Sequence, residues 1–146
     1  MNITYKSNRN VVYSCKYHII WCPKYRKKIL HGDIEEYLKK IVLETCSEFD
    51  SEVLEVECDN DHIHLLVEVE PQFKVHKLVK HLKGRSSRLL RERFPFLKKI
   101  LPTLWTNSYF VSTVGGAPLS KIKEYVASQK TRYLEEKERK IAKVHK

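Results

Sequence analysis

His62 and His64 stand two positions apart in the stretch DNDHIHLLVEV, at the start of an otherwise apolar run. On a strand, side chains alternate, so the two imidazoles share one face about 6.7 Å apart, with Ile63, Leu65 and Val67 on the other. One account of the pair is a wetted strand face. The other is a metal site, and for that two nitrogens are too few: a third donor must come from elsewhere. Asp61, directly before the pair, reads equally as a turn residue or as a carboxylate that orients a histidine ring.

A second constellation lies near the C-terminus. Residues 118–133, PLSKIKEYVASQKTRY, have a helical pattern. Pro118 suits a first turn, and Leu119, Ile122, Val126 and Tyr133 form an apolar stripe. Tyr125 and Gln129, four apart, sit one above the other at the rim of that stripe, where the helix would meet a sheet. A rim tyrosine with a chance neighbour is the plain reading. The chemical reading is a covalent nucleophile, because a phenolate attacks phosphorus once a metal polarises the phosphate oxygens. The Gln129 amide oxygen would then be the missing neutral ligand. Lys121, one turn earlier, would favour the phenolate over a phenol whose ordinary pKa is about 10.

These groups need elements to position them. Residues 11–23, VVYSCKYHIIWCP, are β-branched and aromatic and predict a strand. Residues 33–48 predict an amphipathic helix with Asp33 as N-cap and Ile34, Tyr37, Leu38, Ile41, Val42 and Cys46 on one face. Residues 52–58 and 62–70 predict a hairpin around the turn Asp59-Asn60-Asp61. A second helix is expected over 74–93, with Val75, Leu78, Val79, Leu82, Leu89 and Leu90 inward, and a strand over 107–114. A last helix runs from about 118 to 140. The order is β-α-β-β-α-β followed by an extra helix. It predicts an α+β, ferredoxin-like (RRM-like) fold: a four-stranded antiparallel sheet with two helices on one face. Such a fold hosts many functions, so the site must argue the function.

The chain has 146 residues, which suits one domain over 1–146 with its core at about 11–130 and a charged helical extension over 131–146. Its net charge of +10 favours an anionic partner, nucleic acid before any other. The second helix concentrates that charge, with eight lysines and arginines over 74–93 against the single acid Glu92. Lys77, Lys80, Arg85, Arg88 and Arg91 are candidate phosphate contacts, joined by Lys24 and Arg26 in the loop PKYRKK. Tyr25, Trp105 and Tyr109 are candidates for stacking on bases, though Trp105 equally suits a core. No apolar run approaches the roughly 20 residues of a membrane span, and the polar N-terminus lacks a signal-peptide core, so a cytoplasmic protein is expected. Cys15, Cys22, Cys46 and Cys58 lack Cys-x-x-Cys spacing and are expected to be reduced thiols.

Taken together, NDHIHLLVEV and YVASQ resemble the single-tyrosine HUH transposases (TnpA-type) of small bacterial and archaeal insertion sequences. YHIIWCPKYRKKIL at 17–30, HLKGRSSRLLRERFP at 81–95 and LWTNSYFVSTVGG at 104–116 are similar to further blocks of that family, in order. The resemblance implies a metal-dependent enzyme that cleaves and rejoins single-stranded DNA at hairpin-marked element ends. Tyr125 would be the nucleophile, forming a 5′-phosphotyrosine and releasing a 3′-hydroxyl. His62, His64 and Gln129 would hold the divalent metal. It also implies a homodimer, and it favours a hinge at Gly115-Gly116 over an ordinary turn. All three ligands are neutral, so weak binding of Mg²⁺ or Mn²⁺ is expected until a DNA phosphate adds anionic oxygens. The alternatives are a domesticated hairpin-binding HUH nickase and a non-catalytic RRM-like nucleic-acid-binding module. The second lacks the Gly-Phe pattern of an RNP1 strand and leaves the Tyr125–Gln129 pair unexplained.

Overall fold

The computed structural model of the chain describes residues 5–7, 12–114, 124–129, 134–137 and 139. Short strands β1 (Lys6–Ser7) and β2 (Val12–Tyr13) pair as a separate ribbon. The main sheet holds β3 (Lys16–Trp21), β4 (Glu52–Asp59), β5 (His62–Glu68) and β6 (Phe110–Thr113), in the order β4-β5-β3-β6. All its pairings are antiparallel. Helices α1 (Gly32–Glu48) and α2 (Val75–Arg93) complete the β-α-β-β-α-β order expected from the pattern. A short α3 (Phe96–Ile100) follows α2 directly.

Each element buries the face its sequence marks. Ile34, Leu38, Ile41, Val42 and Cys46 of α1 are buried, as are Leu78, Val79, Leu82 and Leu90 of α2. They meet Ile19 and Trp21 of β3 and Ile63, Leu65 and Val67 of β5. Helix α1 begins earlier than expected. Its N-cap is His31, and Gly32 carries φ +58°, a left-handed conformation that glycine adopts without a Cβ clash. Asp33 therefore lies inside the first turn, where a carboxylate favours the positive end of the helix dipole.

Three predicted boundaries change for physical reasons. The strand expected over 11–23 is broken between Tyr13 and Lys16; Val12, though apolar, is exposed in the ribbon. It also stops at Trp21, because Pro23 cannot donate to a ladder and instead bridges Trp105. The strand expected over 107–114 forms only at Phe110–Thr113, since the Thr106 and Ser108 carbonyls accept from the Lys83 ammonium at 2.6 and 3.2 Å rather than from a strand. Burial holds Lys83 below its ordinary pKa, although the Cys22 thiol nearby acts the other way.

Trp105 belongs to the core. It meets Trp21 edge-on at 6.0 Å, and its indole N–H donates to the buried Ser86 hydroxyl at 3.0 Å. Trp105→Ala should therefore cost about 3–5 kcal/mol of stability. Ser86→Ala should cost about 1–3 kcal/mol by orphaning the indole N–H. Urea unfolding of both variants would measure this; near-neutral values would place Trp105 at the surface.

Candidate active site

Residues opposite each other in an antiparallel pair share a face. Phe110, Ile20 and His64 therefore form one row across β6, β3 and β5, with Glu57 of β4 extending it. This is the side of the sheet away from α1 and α2. Ile20 is fully buried yet lies outside the helix-side core, so this face too is covered. Residues 124–129 are helical and lie upon it: the Tyr125 ring packs on Phe110 with centroids 5.3 Å apart. Tyr125 is half-buried and Gln129 is buried. The Ser108 hydroxyl donates to the Gln129 amide oxygen at 3.4 Å, which orients that oxygen and leaves it a second lone pair.

The histidines have fixed environments. The ionised Asp61 can only accept, so His62 donates its Nδ1–H to Asp61 Oδ1 at 3.0 Å, leaving Nε2 with the lone pair a metal would take. Burial pushes the Asp61 carboxyl up, but the His62 hydrogen bond and the Arg26 charge outweigh it and hold the group below the usual carboxylate range. Burial, helped by His18, holds His64 below the ordinary imidazole value and so favours its neutral, ligating form. Two imidazole nitrogens and an amide oxygen suit a divalent ion when a substrate phosphate adds oxygens. Among the described residues there is no group of three His, Cys, Asp or Glu side chains placed to hold a metal. A third donor must come from another residue type, such as Gln129.

The placement of two neighbours escaped sequence reasoning. His18 stacks on His64, with His18 Nδ1 and His64 Nε2 3.0 Å apart. Strand alternation could have placed His18 on this face, but its diagonal meeting with His64 depends on register. Arg26 reaches the face from the loop after β3, binding Asp61 Oδ2 at 2.5 Å and the Val126 carbonyl at 3.0 Å. A cleft of about 370 Å³ opens beside Gln129, lined by Lys24, Tyr25, Arg26, Asn107, Ser108 and Arg139 among others.

The remaining candidates are dispersed. Lys77, Lys80 and Arg88 are exposed on the outer side of α2, across the sheet from the histidines. Arg85 pairs with Glu48 at 2.8 Å, and Arg91 is half-buried against the Pro102 carbonyl. Tyr109 hydrogen-bonds His76 at 2.6 Å. The cysteines are free thiols, and burial pushes Cys22, Cys46 and Cys58 up to about 12. Lys121, Gly115 and Gly116 lie outside the described residues. No helix among the described residues is long and apolar enough to cross a membrane.

This fold, with a His-Ile-His strand facing a tyrosine helix, fits the HUH class that the sequence resembles. Residues 11–129 match the family model described as Transposase IS200 like, and the chain belongs to that family. It is 38% identical over 126 residues to the ISDra2 transposase TnpA of Deinococcus radiodurans, covering 85% of this chain and 90% of that protein. It is 36% identical to the transposase for insertion sequence element IS200 of Salmonella typhimurium, covering 85% and 82%. A crystal structure of a candidate transposase from Deinococcus radiodurans superposes with a TM-score of 0.79 at 35% identity, covering 85% and 97%. A REP-associated tyrosine transposase bound to a REP hairpin shares the fold, with a TM-score of 0.51 at 10% identity and coverage of 83% and 67%.

Proposed function

We propose that the chain cleaves and rejoins single-stranded DNA at the ends of its insertion sequence, through a phosphotyrosine at Tyr125. The observation that carries this reading is the seating of the Tyr125 segment on the histidine face: Tyr125 covers Phe110, in the same row as His64. Tyr125 Oη attacks the scissile phosphorus. The Oη–P bond forms, the P–O3′ bond breaks, and the phenolic proton is balanced by the one the leaving 3′-oxygen takes up. A second 3′-hydroxyl then attacks the phosphotyrosine and restores the phenol. One phosphodiester replaces another, so no nucleotide hydrolysis is needed.

His62, His64 and Gln129 would hold Mg²⁺ or Mn²⁺, which when bound would polarise the phosphate oxygens. Asp61 fixes the tautomer of His62, and Ser108 orients Gln129. The cleft beside Gln129 has room for a flanking nucleotide. The outer face of α2 is suited to the backbone of a DNA hairpin, and the family resemblance supports a homodimer working in the cytoplasm. Neutralising Lys77, Lys80 and Arg88 together should weaken hairpin binding and lower the salt slope by about one for each phosphate no longer neutralised. Titrations at several salt concentrations would show it; an unchanged slope would move the hairpin elsewhere.

The deciding experiment mixes the protein with labelled single-stranded DNA spanning both flanks of its gene, with Mg²⁺ or Mn²⁺, and resolves the products on a denaturing gel. A metal-dependent covalent adduct is expected. Hairpin binding without an adduct under either metal would instead indicate a non-catalytic binding module.

A further inference from the structure

The loop after β3 holds backbone strain that its sequence does not relieve. Tyr25 and Arg26 adopt φ +62° and +48°, where neither residue is glycine. Such conformations are strained for a residue with a Cβ and persist only when the surroundings over-determine them. Those surroundings are present. Lys24 N–H donates to the Leu104 carbonyl at 2.8 Å, Thr106 N–H to the Cys22 carbonyl at 3.0 Å, and Leu30 N–H to the Asn60 carbonyl at 2.9 Å. The loop is thus pinned to the 104–106 segment on one side and to the β4–β5 turn on the other.

The strain delivers one side chain. The Arg26 guanidinium, mostly buried, donates through Nη2 to Asp61 Oδ2 and through Nη1 to the Val126 carbonyl. The other oxygen of Asp61 holds His62. An unbroken chain of hydrogen bonds therefore runs from the backbone beside Tyr125, through Arg26 and Asp61, to the first histidine.

We infer that Arg26 is a positioning residue: its two-armed contact sets the register of the Tyr125 segment against His62. The inference rests on the proposed strand-transfer function for its kinetic effect, but not for its structural one. The planar fork of arginine reaches both acceptors at once, which a lysine ammonium cannot do with the same fixed geometry. A phosphate contact, the role first suggested by the basic loop sequence, would instead leave the guanidinium turned to solvent.

The test compares wild type, Arg26→Gln, Arg26→Lys and Asp61→Asn at matched folding, checked by circular dichroism. In free protein, amides of residues 124–129 should exchange at least roughly tenfold faster in Arg26→Gln, through loss of a charged hydrogen bond to Val126. With DNA bound at saturation, the single-turnover rate of adduct formation should fall about 100-fold in Arg26→Gln, as small misplacements of a nucleophile do, with little rescue by Arg26→Lys. DNA affinity and its salt slope should not change. Asp61→Asn should slow the reaction too, and the double variant should be less impaired than the product of the two single effects. Wild-type exchange and rate in Arg26→Gln would overturn the inference. So would weaker DNA binding with a salt slope lower by about one and unchanged exchange, which would make Arg26 a phosphate contact. Absence of any adduct in wild type would instead defeat the strand-transfer reading, while the exchange measurement would still decide the bridge.

Discussion

Tyr125→Phe should abolish the covalent DNA adduct. The substitution removes one oxygen and keeps the ring that packs on Phe110 at 5.3 Å, so the fold and the seat of the segment are retained. Hairpin affinity should be unchanged, because the exposed charges of α2 lie across the sheet. Removing a covalent nucleophile costs on the order of 10⁶-fold in turnover where neighbouring groups cannot replace it. Among the described residues, Tyr17 packs against the helix-side core, and Tyr25, which also packs against it, lines the cleft beside Gln129, so Tyr25→Phe serves as the control for a substitute nucleophile. A denaturing gel with end-labelled DNA reads the result directly. An adduct that survives in Tyr125→Phe at wild-type rate would move the nucleophile elsewhere and leave Tyr125 as packing for Phe110.

The histidine face was legible because strands have a period of two. His62, Ile63, His64 and Leu65 alternate in the sequence, and in the structure the histidines are half-buried while Ile63 and Leu65 are fully buried. The helices were legible for the corresponding reason at period 3.6. Where periodicity is absent, the sequence misleads. Val12 is as apolar as any core residue but stands in a two-residue strand outside the main sheet. Helix α3 is five residues long, too short to show a repeat. Arg26 reads as one more base in PKYRKK, because its partners lie 35 and 100 residues away and no local pattern encodes them. Tyr125 and Gln129 were visible as a four-residue spacing. Their meeting with Phe110 and Ser108 depends on how the last helix docks, which no spacing specifies.

His64→Ala and His62→Ala should each lower the adduct rate about 10³-fold, and removal of divalent ions by EDTA should lower it at least as far. The scale follows from the several kcal/mol that a Lewis acid contributes where charge develops on a transferring phosphate. His62 is held ready for this, whereas His64 must first part its Nε2 from His18 Nδ1, 3.0 Å away. His62 keeps Nε2 free because Asp61 takes its Nδ1–H, and burial favours the neutral form of His64. Neither histidine is a core residue, so loss of activity should come with little loss of stability. Affinity for the ion should also depend on DNA. Two imidazoles and an amide bring no negative charge, so Mn²⁺ followed by electron paramagnetic resonance should bind weakly to free protein and more tightly once single-stranded DNA is present. By linkage, the ion should strengthen DNA binding by the same factor. His64→Ala should erase this coupling while leaving hairpin binding in place. Tight Mg²⁺ binding without DNA would overturn this account, since it would require an anionic ligand that His62, His64 and Gln129 do not supply.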